Sequence, residues 1–595
     1  MPNMNIAFGG NTIVVPGSYY QDNVQQIFPV ASQASLPLIY IGFAYNGTTN
    51  TAYNFVSPQE DMLNFMRGGP ASGYVSQLTN PSPSLNGANN ITFIAVGSNV
   101  PATLTLDNAS SGAITLTSAV SGVTSNLVQA EVVAGDQYAS STSNITLYDG
   151  YSNFTVTGNN LGVPLQVAYA GTATGSLSYS VSGTAGNAVS LTLTSPNSGE
   201  SATINLGAGY YATTAQVVEY INGTGFWAAS LVSDTGGQLP SQYLTPASGT
   251  LSPMTSGGDY QYAGLLAIPY DAWYWVNQFG SAVATAEVVS GASTTSPLAL
   301  IPLTHFSGGS STTPTNGAYA SGFNAALNTP GWIVFADNNS LSVQLLGAQH
   351  AETASEAVNG LYRRFFTGSN VGDSVSTTTA NAAALNSIET CYFYPGVKIV
   401  NTQTGQLQTF GGLTAAAMAA GIASANQVAL PLTSKPLNAA GVEKNLTLSE
   451  INTLQIGGVC PIVLGGANGT TPIILSDFTT WQTDNNPLNV FTQQVACRWW
   501  TAYTLKNALQ PFVGQIASPD TLVSVANAAK RALNSIIYTP GSNGVLASWD
   551  TSSLTVSYNG ADQTVSVSAA ATTVGQFRFI TETVTVQLYS GTVTG

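Results

Sequence analysis

Charged residues make up only 6% of this 595-residue chain, while Gly, Ser, Thr, Ala and Asn abound, so its surface must be built largely from hydroxyls and amides. Hydrophobic residues at 44% exclude a disordered chain, and the length exceeds what one core can serve, which sets an expectation of about two to four domains. The net charge of −15 falls in residues 1–362, with 16 Asp/Glu against the single base Arg67, whereas residues 363–595 hold ten charges of each sign. Such an acidic half repels nucleic acid, and the neutral half can pack against a like surface.

The opening Met-Pro-Asn-Met-Asn-Ile has no basic or long apolar stretch of a secretory signal, and no run reaches the length of about 18 apolar residues of a membrane span. Residues 1–25 carry Ile13-Val-Val-Pro-Gly-Ser-Tyr-Tyr20 with no local partner strand, and read as an extended arm. Residues 26–90 are mixed, with a strand at Leu38–Ile41 and a short helix near Glu60–Met66. From about 90 to 290, alternating stretches such as Thr103–Leu106, Ile114–Thr117, Leu177–Val181 and Val189–Leu193 are separated by Gly, Ser and Asn turns, which is a β-sandwich pattern. Thr213-Thr-Ala-Gln216 caps one short helix there.

From residue 297 the pattern turns to α/β. A strand at Pro297–Pro302 precedes the loop Phe306–Ser310, a helix carries Tyr319, Phe323 and Leu327, and Trp332–Phe335 is again strand. Asp337–Ser340 is expected to cap a helix running to about Gln349, and a further apolar segment ends in Arg363-Arg-Phe-Phe366. Thr447-Leu-Ser-Glu450 is a capping box, and Val459–Leu464 is short enough for a buried strand. After Asn486-Pro487, residues Phe491, Val495, Trp499, Ala502, Leu505 and Leu509 form one helical stripe, with Gln493, Gln494, Arg498, Lys506 and Asn507 on the polar faces. Ser518-Pro519-Asp520 starts a second helix with Leu522, Val525, Ala529, Leu533 and Ile536 on one side. A hairpin of Leu554–Val556 and Val565–Val567 turns at Asn559-Gly560, and Phe577–Tyr589 is a long β-prone run that must be paired or covered.

Little in the chain suggests chemistry. His305 and His350 lie far from any nucleophile motif, and Glu60-Asp61, adjacent on a helix, diverge about its axis. Gly308-Gly309 lacks the spacing of a phosphate loop, Arg363-Arg364 is too small for a nucleic-acid footprint, and Trp499-Trp500 reads as core and interface. Cys391, Cys460 and Cys497 have no metal-ligand spacing and fit reduced, buried thiols, with an intersubunit disulfide as the second reading. Catalytic, cofactor and metal sites are therefore expected to be absent.

Several stretches resemble the tail sheath proteins of contractile-tailed bacteriophages and related contractile injection systems. Pro16-Gly-Ser-Tyr-Tyr20 is similar to the family's N-terminal Pro-Gly-x-Tyr segment. Gly186-Asn187 with its following strands and the capped Thr213–Ile221 helix resembles an inserted domain, and Ile301–Gly309 with the Tyr319 helix resembles the start of its α/β domain. Gly441-Val-Glu-Lys-Asn-Leu-Thr-Leu-Ser-Glu450, continuing through Asn452 and Gly457-Gly-Val459, resembles its most recognisable stretch. The chain departs from the family in having Ser310 and Ser311 where an acidic residue usually follows the Gly-Gly loop.

The resemblance implies an α+β multidomain protein: an α/β sheath core assembled from N- and C-terminal segments, with inserted β-sandwich-like domains and terminal strands exchanged between subunits. On that basis residues 1–25 are an N-terminal arm, 26–90 part of the core or a first insert, 91–290 an outer β-rich insert, 291–400 the α/β domain, 401–574 the tube-facing domain and 575–595 a C-terminal arm. Strand exchange is expected to use Ile13, Val14, Val15, Tyr19 and Tyr20 at one end and Phe577, Phe579, Val584, Val586 and Leu588 at the other, with Arg498, Trp500 and Lys506 on a tube-facing helix. The implied role is a structural one: stacked hexameric rings around a tail tube that contract to drive the tube through the host envelope. The implied partners are further copies, the tube protein, and baseplate and neck or terminator proteins, with no nucleic acid, no stable membrane insertion and no cofactor. The implied location is the virion tail, assembled in the host cytoplasm. A secreted or S-layer-like β-rich adhesion protein is the second reading, and a carbohydrate-acting phage enzyme, which needs a carboxylate pair in an aromatic cleft, is the third.

Overall fold

The apolar runs at Leu38, Trp332 and Val459, more than 400 residues apart in sequence, come together in one sheet. The computed structural model describes residues 6–8, 11–13, 17–18, 36–576 (apart from 110, 208, 357–358, 401–405, 466–468, 540–541, 543 and 562) and 579–580. It falls into two units, one of Met1–Ala44, Thr49–Gly97 and Thr313–Gly595, the other of Tyr45–Thr48 and Ser98–Thr312. Helices and strands mix throughout, as α+β multidomain architecture requires.

The first unit is built on a nine-stranded sheet. In chain order its strands are β1 (Leu38–Gly42), β2 (Ala52–Val56), β3 (Asn90–Ala95), β4 (Ile333–Ala336), β5 (Arg364–Gly368), β6 (Thr390–Tyr394), β7 (Lys435–Pro436), β8 (Val459–Gly465) and β9 (Thr471–Ile474). They lie side by side as 7-9-8-6-5-4-1-3-2. The six from β8 to β3 are parallel, while β2, β9 and β7 run antiparallel to their neighbours at the two margins. The helices are α1 (Pro58–Met66), α2 (Val75–Thr79), α3 (Asn316–Ala326), α4 (Leu341–Ser355), α5 (Val375–Leu385), α6 (Gly412–Ala425), α7 (Leu448–Ile456), α8 (Thr492–Leu509) and α9 (Pro519–Ser535).

A parallel sheet is stable only when both faces are covered, and here alternate residues serve opposite faces. Leu38, Tyr40, Phe335, Phe366, Phe393 and Cys460 share a core with Met62, Leu78, Met418 and Ile422 of α1, α2 and α6. On the other face Tyr392, Tyr394 and Val459 meet Ala348, Ala382, Leu385 and Leu454 of α4, α5 and α7. Phe365 lies edge-on to Phe323 of α3, and a Cβ on Gly347 of α4 would stand 2.3 Å from the Phe365 ring, so glycine is required for that approach. Each fully buried side chain of this kind contributes about 1.5–3 kcal/mol.

The second unit has two β-rich cores. One gathers Leu106, Leu116, Val132, Leu147 and Trp275 between a four-stranded sheet (Val128–Ala134, Ser143–Asp149, Phe154–Leu161, Ile301–His305) and a three-stranded one (Thr103–Asn108, Ser111–Ser118, Ala284–Val288). The other gathers Val167, Tyr169, Leu191, Ile204, Val217 and Trp227 between strands drawn from Leu165–Leu265 and the helix Thr214–Gly223. Thr213 and Gln216 form the full capping box at that helix start.

Three sequence boundaries shift. Asn90–Ala95, placed at the start of the insert, is a strand of the central sheet, with residues 91–95 buried on both of its faces. The strand read at Pro297–Pro302 as belonging to the α/β domain of residues 291–400 lies in the insert, where Ile301–His305 pairs with Val128–Ala134. No break falls near residue 400, since α6 packs on β4, β5 and β6 and completes the same core.

Candidate assembly surface

The region after β9 carries the features expected to meet other proteins. Asn486 accepts from the Leu488 amide and opens the short turn Pro487–Val490, after which α8 begins. Gln493 and Gln494, which the stripe put on a solvent face, are buried, because the first turn and a half of α8 is enclosed on all sides. The Arg498 guanidinium lies 4.6 Å from the Trp499 ring and donates to Asn489 Oδ1 at 2.8 Å. Trp500 packs with Trp332 and Tyr503, and Lys506 Nζ donates to the carbonyls of Asn359 and Gly360 at 3.3 and 3.4 Å. Each of the three residues assigned to a tube-facing helix thus has a partner inside its own unit. The most exposed apolar residues of the helix pair sit at its turn, where Val513 is 75% and Ile516 86% exposed, and Val523 on α9 is exposed as well. Helix α9 is capped by Ser518 and buries Val525, Ala529, Leu533 and Ile536 as its spacing requires.

Beyond α9 the chain forms a ribbon of β10 (Leu546–Asn559) and β11 (Thr564–Thr573). Its root is packed: Val545 and Leu546 share a core with Ala496, Cys497, Leu533 and Ile536. The register runs from Leu546 opposite Thr573 to Asn559 opposite Thr564, with an irregularity between Asp550 and Thr555. There the Asp550 carboxylate accepts from the Ser552 amide and hydroxyl at 2.9 and 2.6 Å. Past Trp549 most side chains are exposed on both faces. Leu546, at the root, is also bridged to Ile537; beyond it, among the described residues, each strand ladders only with the other, so the outer edges there have no ladder partner. A two-stranded ribbon of this kind is marginal by itself in water.

Of the exchange residues, Ile13 lies in Asn11–Ile13, which pairs antiparallel with Ile6–Phe8. Phe579 lies in Phe579–Ile580, which runs parallel to Gly17–Ser18 of the same chain. The two short strands at opposite ends of the chain thus pair with each other. Val14, Val15, Tyr19, Tyr20, Phe577, Val584, Val586 and Leu588 lie outside the described residues.

The polar chemistry is structural. His350 accepts from Arg363 Nη1 at 2.8 Å, and burial together with the guanidinium holds it down at about 3, so it stays neutral. His305 bonds Gln129 and the Asn126 carbonyl. Glu60 and Asp61 sit in the first turn of α1, where negative charge suits the helix dipole. Cys391, Cys460 and Cys497 are free and buried, and burial pushes Cys391 up to about 11 and Cys497 to about 12. Among the described residues no three His, Cys, Asp or Glu side chains are grouped to hold a metal, and no helix is long and apolar enough to cross a membrane. A concavity of about 500 Å³ beside α1, lined by Ser57, Gln59, Thr79, Asn86 and Asn89, holds no titratable group.

No family model matches the chain. In sequence it is 24% identical over 496 residues to the tail sheath protein of Bacillus phage SP01, spanning 81% of each. To the putative tail sheath protein of Enterococcus phage phiEF24C it is 23% identical over 468 residues, spanning 77% of this chain and 78% of the relative. In fold it is similar to the sheath tail protein of Listeria innocua (TM-score 0.56, 10% identity, 92% of this chain and 94% of that one). The sheath tail protein of Desulfitobacterium hafniense is comparable (TM-score 0.53, 10% identity, 93% and 96%). The resemblance to phage tail sheath proteins is thereby shown, in sequence over about four fifths of the chain and in fold over about nine tenths.

Proposed function

We propose that this chain is the structural subunit of a contractile tail sheath, polymerising as stacked hexameric rings around a tail tube. Its curated relatives are tail sheath proteins, and the chain is accordingly a structural component rather than an enzyme. The observation that supports the assembly reading best is the β10–β11 ribbon, marginal alone and, among the described residues, without a further ladder partner beyond its root at Leu546. Terminal segments of neighbouring subunits, Met1–Asp22 and Phe577–Tyr589, add strands to it by β-augmentation. Each ladder bond contributes about 1 kcal/mol net, so an arm of several bonds contributes several kcal/mol per link. A mesh held in this way stays connected while subunits rotate outward, and the contracted arrangement is favoured by contacts of lower free energy, with no nucleotide required.

The remaining partners follow from the same reading: the tube protein inside, and baseplate and neck or terminator proteins at the ends, with assembly in the host cytoplasm and the finished sheath on the virion tail. The insert holds ten Asp/Glu and no Lys or Arg, which suits an outward, solvent-facing position, while the charge-balanced C-terminal part with its apolar turn at Val513 and Ile516 faces the tube. Negative-stain microscopy tests the proposal. The purified full chain should form wide hollow tubes, and chains lacking Met1–Asp22 or Phe577–Tyr589 should stay dispersed and folded. Normal tubes from either truncation overturn strand exchange.

A further inference from the structure

Two consecutive buried amides on α8 close on one carbonyl about 80 residues further along the chain. Gln494 Nε2 donates to the Val574 carbonyl at 2.8 Å and Gln493 Nε2 to the same oxygen at 3.1 Å, which occupies both of its lone pairs. Gln493 Nε2 also donates to the Ala429 carbonyl at 3.2 Å, and Gln494 Nε2 to Gln493 Oε1 at 2.9 Å. Thr573 Oγ1 donates back to Gln494 Oε1 at 2.5 Å, and the Val574 amide donates to the Val545 carbonyl at 2.9 Å. Two residues on, Gln576 Nε2 donates to Asp477 Oδ1 at 2.9 Å. Asp477 is itself fully buried and is held by the Thr433 hydroxyl at 2.5 Å and the Leu432 amide at 3.2 Å.

The position of this network gives it a consequence. Thr573 is the last ladder residue of β11, opposite Leu546, and Gln576 directly precedes the segment assigned above to a neighbouring subunit. Without the network, tension on that segment would load the ribbon at its terminal pair and open its bonds one after another. With it, the chain is fixed to α8 and to the Leu432–Asp477 contact before any force reaches the ribbon, and those bonds must break together. Buried glutamines beside the apolar cluster of Ala496 and Cys497 are costly unless every amide is used, and here both are directed at the point where the strand ends.

We propose that Gln493, Gln494 and Asp477 are positioning residues for assembly, a polar clamp that fixes the root of the C-terminal segment and isolates the β10–β11 ribbon from tension. The inference rests on the strand-exchange reading, so the test compares three full-length variants or truncations with the parent chain: Gln493→Met with Gln494→Met, Gln576→Leu, and deletion of residues 577–595. Hydrogen exchange on dispersed subunits reads the clamp, and the dissociation rate of assembled tubes on dilution reads its mechanical role.

For the double variant, amides of residues 574–576 should exchange about thirtyfold faster, as loss of the two bonds to the Val574 carbonyl implies, while those of α8 and the ribbon keep their rates. Its tubes should dissociate about thirtyfold sooner, on the same arithmetic. Gln576→Leu, which lies outside α8 and removes the bond to Asp477, should move both readouts in the same direction. Unchanged exchange and dissociation in these variants, with assembly lost on deletion of 577–595, overturn the clamp alone. Normal assembly of the deletion overturns the strand-exchange reading and the clamp with it.

Discussion

Asp337 shows how a single residue is misread and what it does instead. The sequence offers Asp337–Ser340 as the cap of the following helix; Ser340 takes the cap position of α4, and Asp337 is instead buried at the end of β4. There it accepts from the Phe43 amide at 2.8 Å and the Tyr319 hydroxyl at 2.6 Å, with Tyr40 and Tyr74 also close. This is the place where strand order reverses: the chain leaves β1 outward to β3 and later returns on the other side at β4. Open α/β sheets leave a crevice at such a point, and here a carboxyl group and tyrosines fill it. Burial pushes the Asp337 carboxyl up to about 6, above its unfolded value of about 3.9. The stabilisation it contributes is therefore fully present below about pH 4 and is lost as pH rises through about 6. His350 has the opposite sign, since its depressed value makes its contribution present above about 6.5 and lost as pH falls toward 3. Comparing the parent with Asp337→Asn isolates the first effect. Between pH 4 and 7.5 the parent should lose about 2–3 kcal/mol relative to the variant in urea unfolding; parallel pH profiles would refute the assignment.

At the scale of elements, what could be read in the sequence was what carries a local signature. The capping boxes at Thr213–Gln216 and Thr447–Glu450 form as written, because both partners of each box lie within one turn. Of the six parallel strands, β1, β4 and β8 are legible as short unbroken apolar runs, whereas β3 and β6 are not read as strands. Helix α6 was not. Its sequence, Gly-Leu-Thr-Ala-Ala-Ala-Met-Ala-Ala-Gly-Ile-Ala-Ser-Ala, has no polar face to set a period, and all its residues are buried between the sheet and α2. The buried Gln493 and Gln494 were equally hidden, since glutamine on a helix reads as solvent-facing until a distant carbonyl is known to need it. The small residues of α6 are what allow its approach to α2: a Cβ on Gly421 would stand 2.3 Å from the Leu78 carbonyl oxygen. Gly421→Ala should therefore destabilise the first unit by about 1–3 kcal/mol despite the better helix propensity of alanine. Thermal unfolding followed by tryptophan fluorescence checks this, and a variant as stable as the parent would show that the two helices can part at no cost.

For the whole molecule, the insert is attached in a way that makes it separable. Its first and last strands, Ser98–Val100 and Ser310–Thr312, are antiparallel ladder partners, with Ser98 opposite Thr312. Apart from Tyr45–Thr48, which is also grouped with the second unit, the insert begins at Ser98 and ends at Thr312, one ladder spacing apart, about 5 Å. None of the strands of the nine-stranded sheet comes from residues 98–312, and the insert's two cores are its own. Replacing residues 98–312 by a short Gly-Ser bridge adds little closure entropy, since that cost grows only slowly with loop length. The excised chain should fold and keep the buried environment of Trp332 and its neighbours, because every aromatic contact of that cluster lies in the first unit. It should also still form tubes, since the ribbon, the clamp and both terminal segments remain. Removing ten acidic groups and no basic one leaves 16 Asp/Glu against 11 Lys/Arg, so tube formation should become less sensitive to low ionic strength, where self-repulsion is least screened. Electron microscopy across a salt series reads both effects. A soluble, folded excision variant that forms no tubes at any salt concentration would mean that the insert itself makes the contacts assigned here to the C-terminal ribbon.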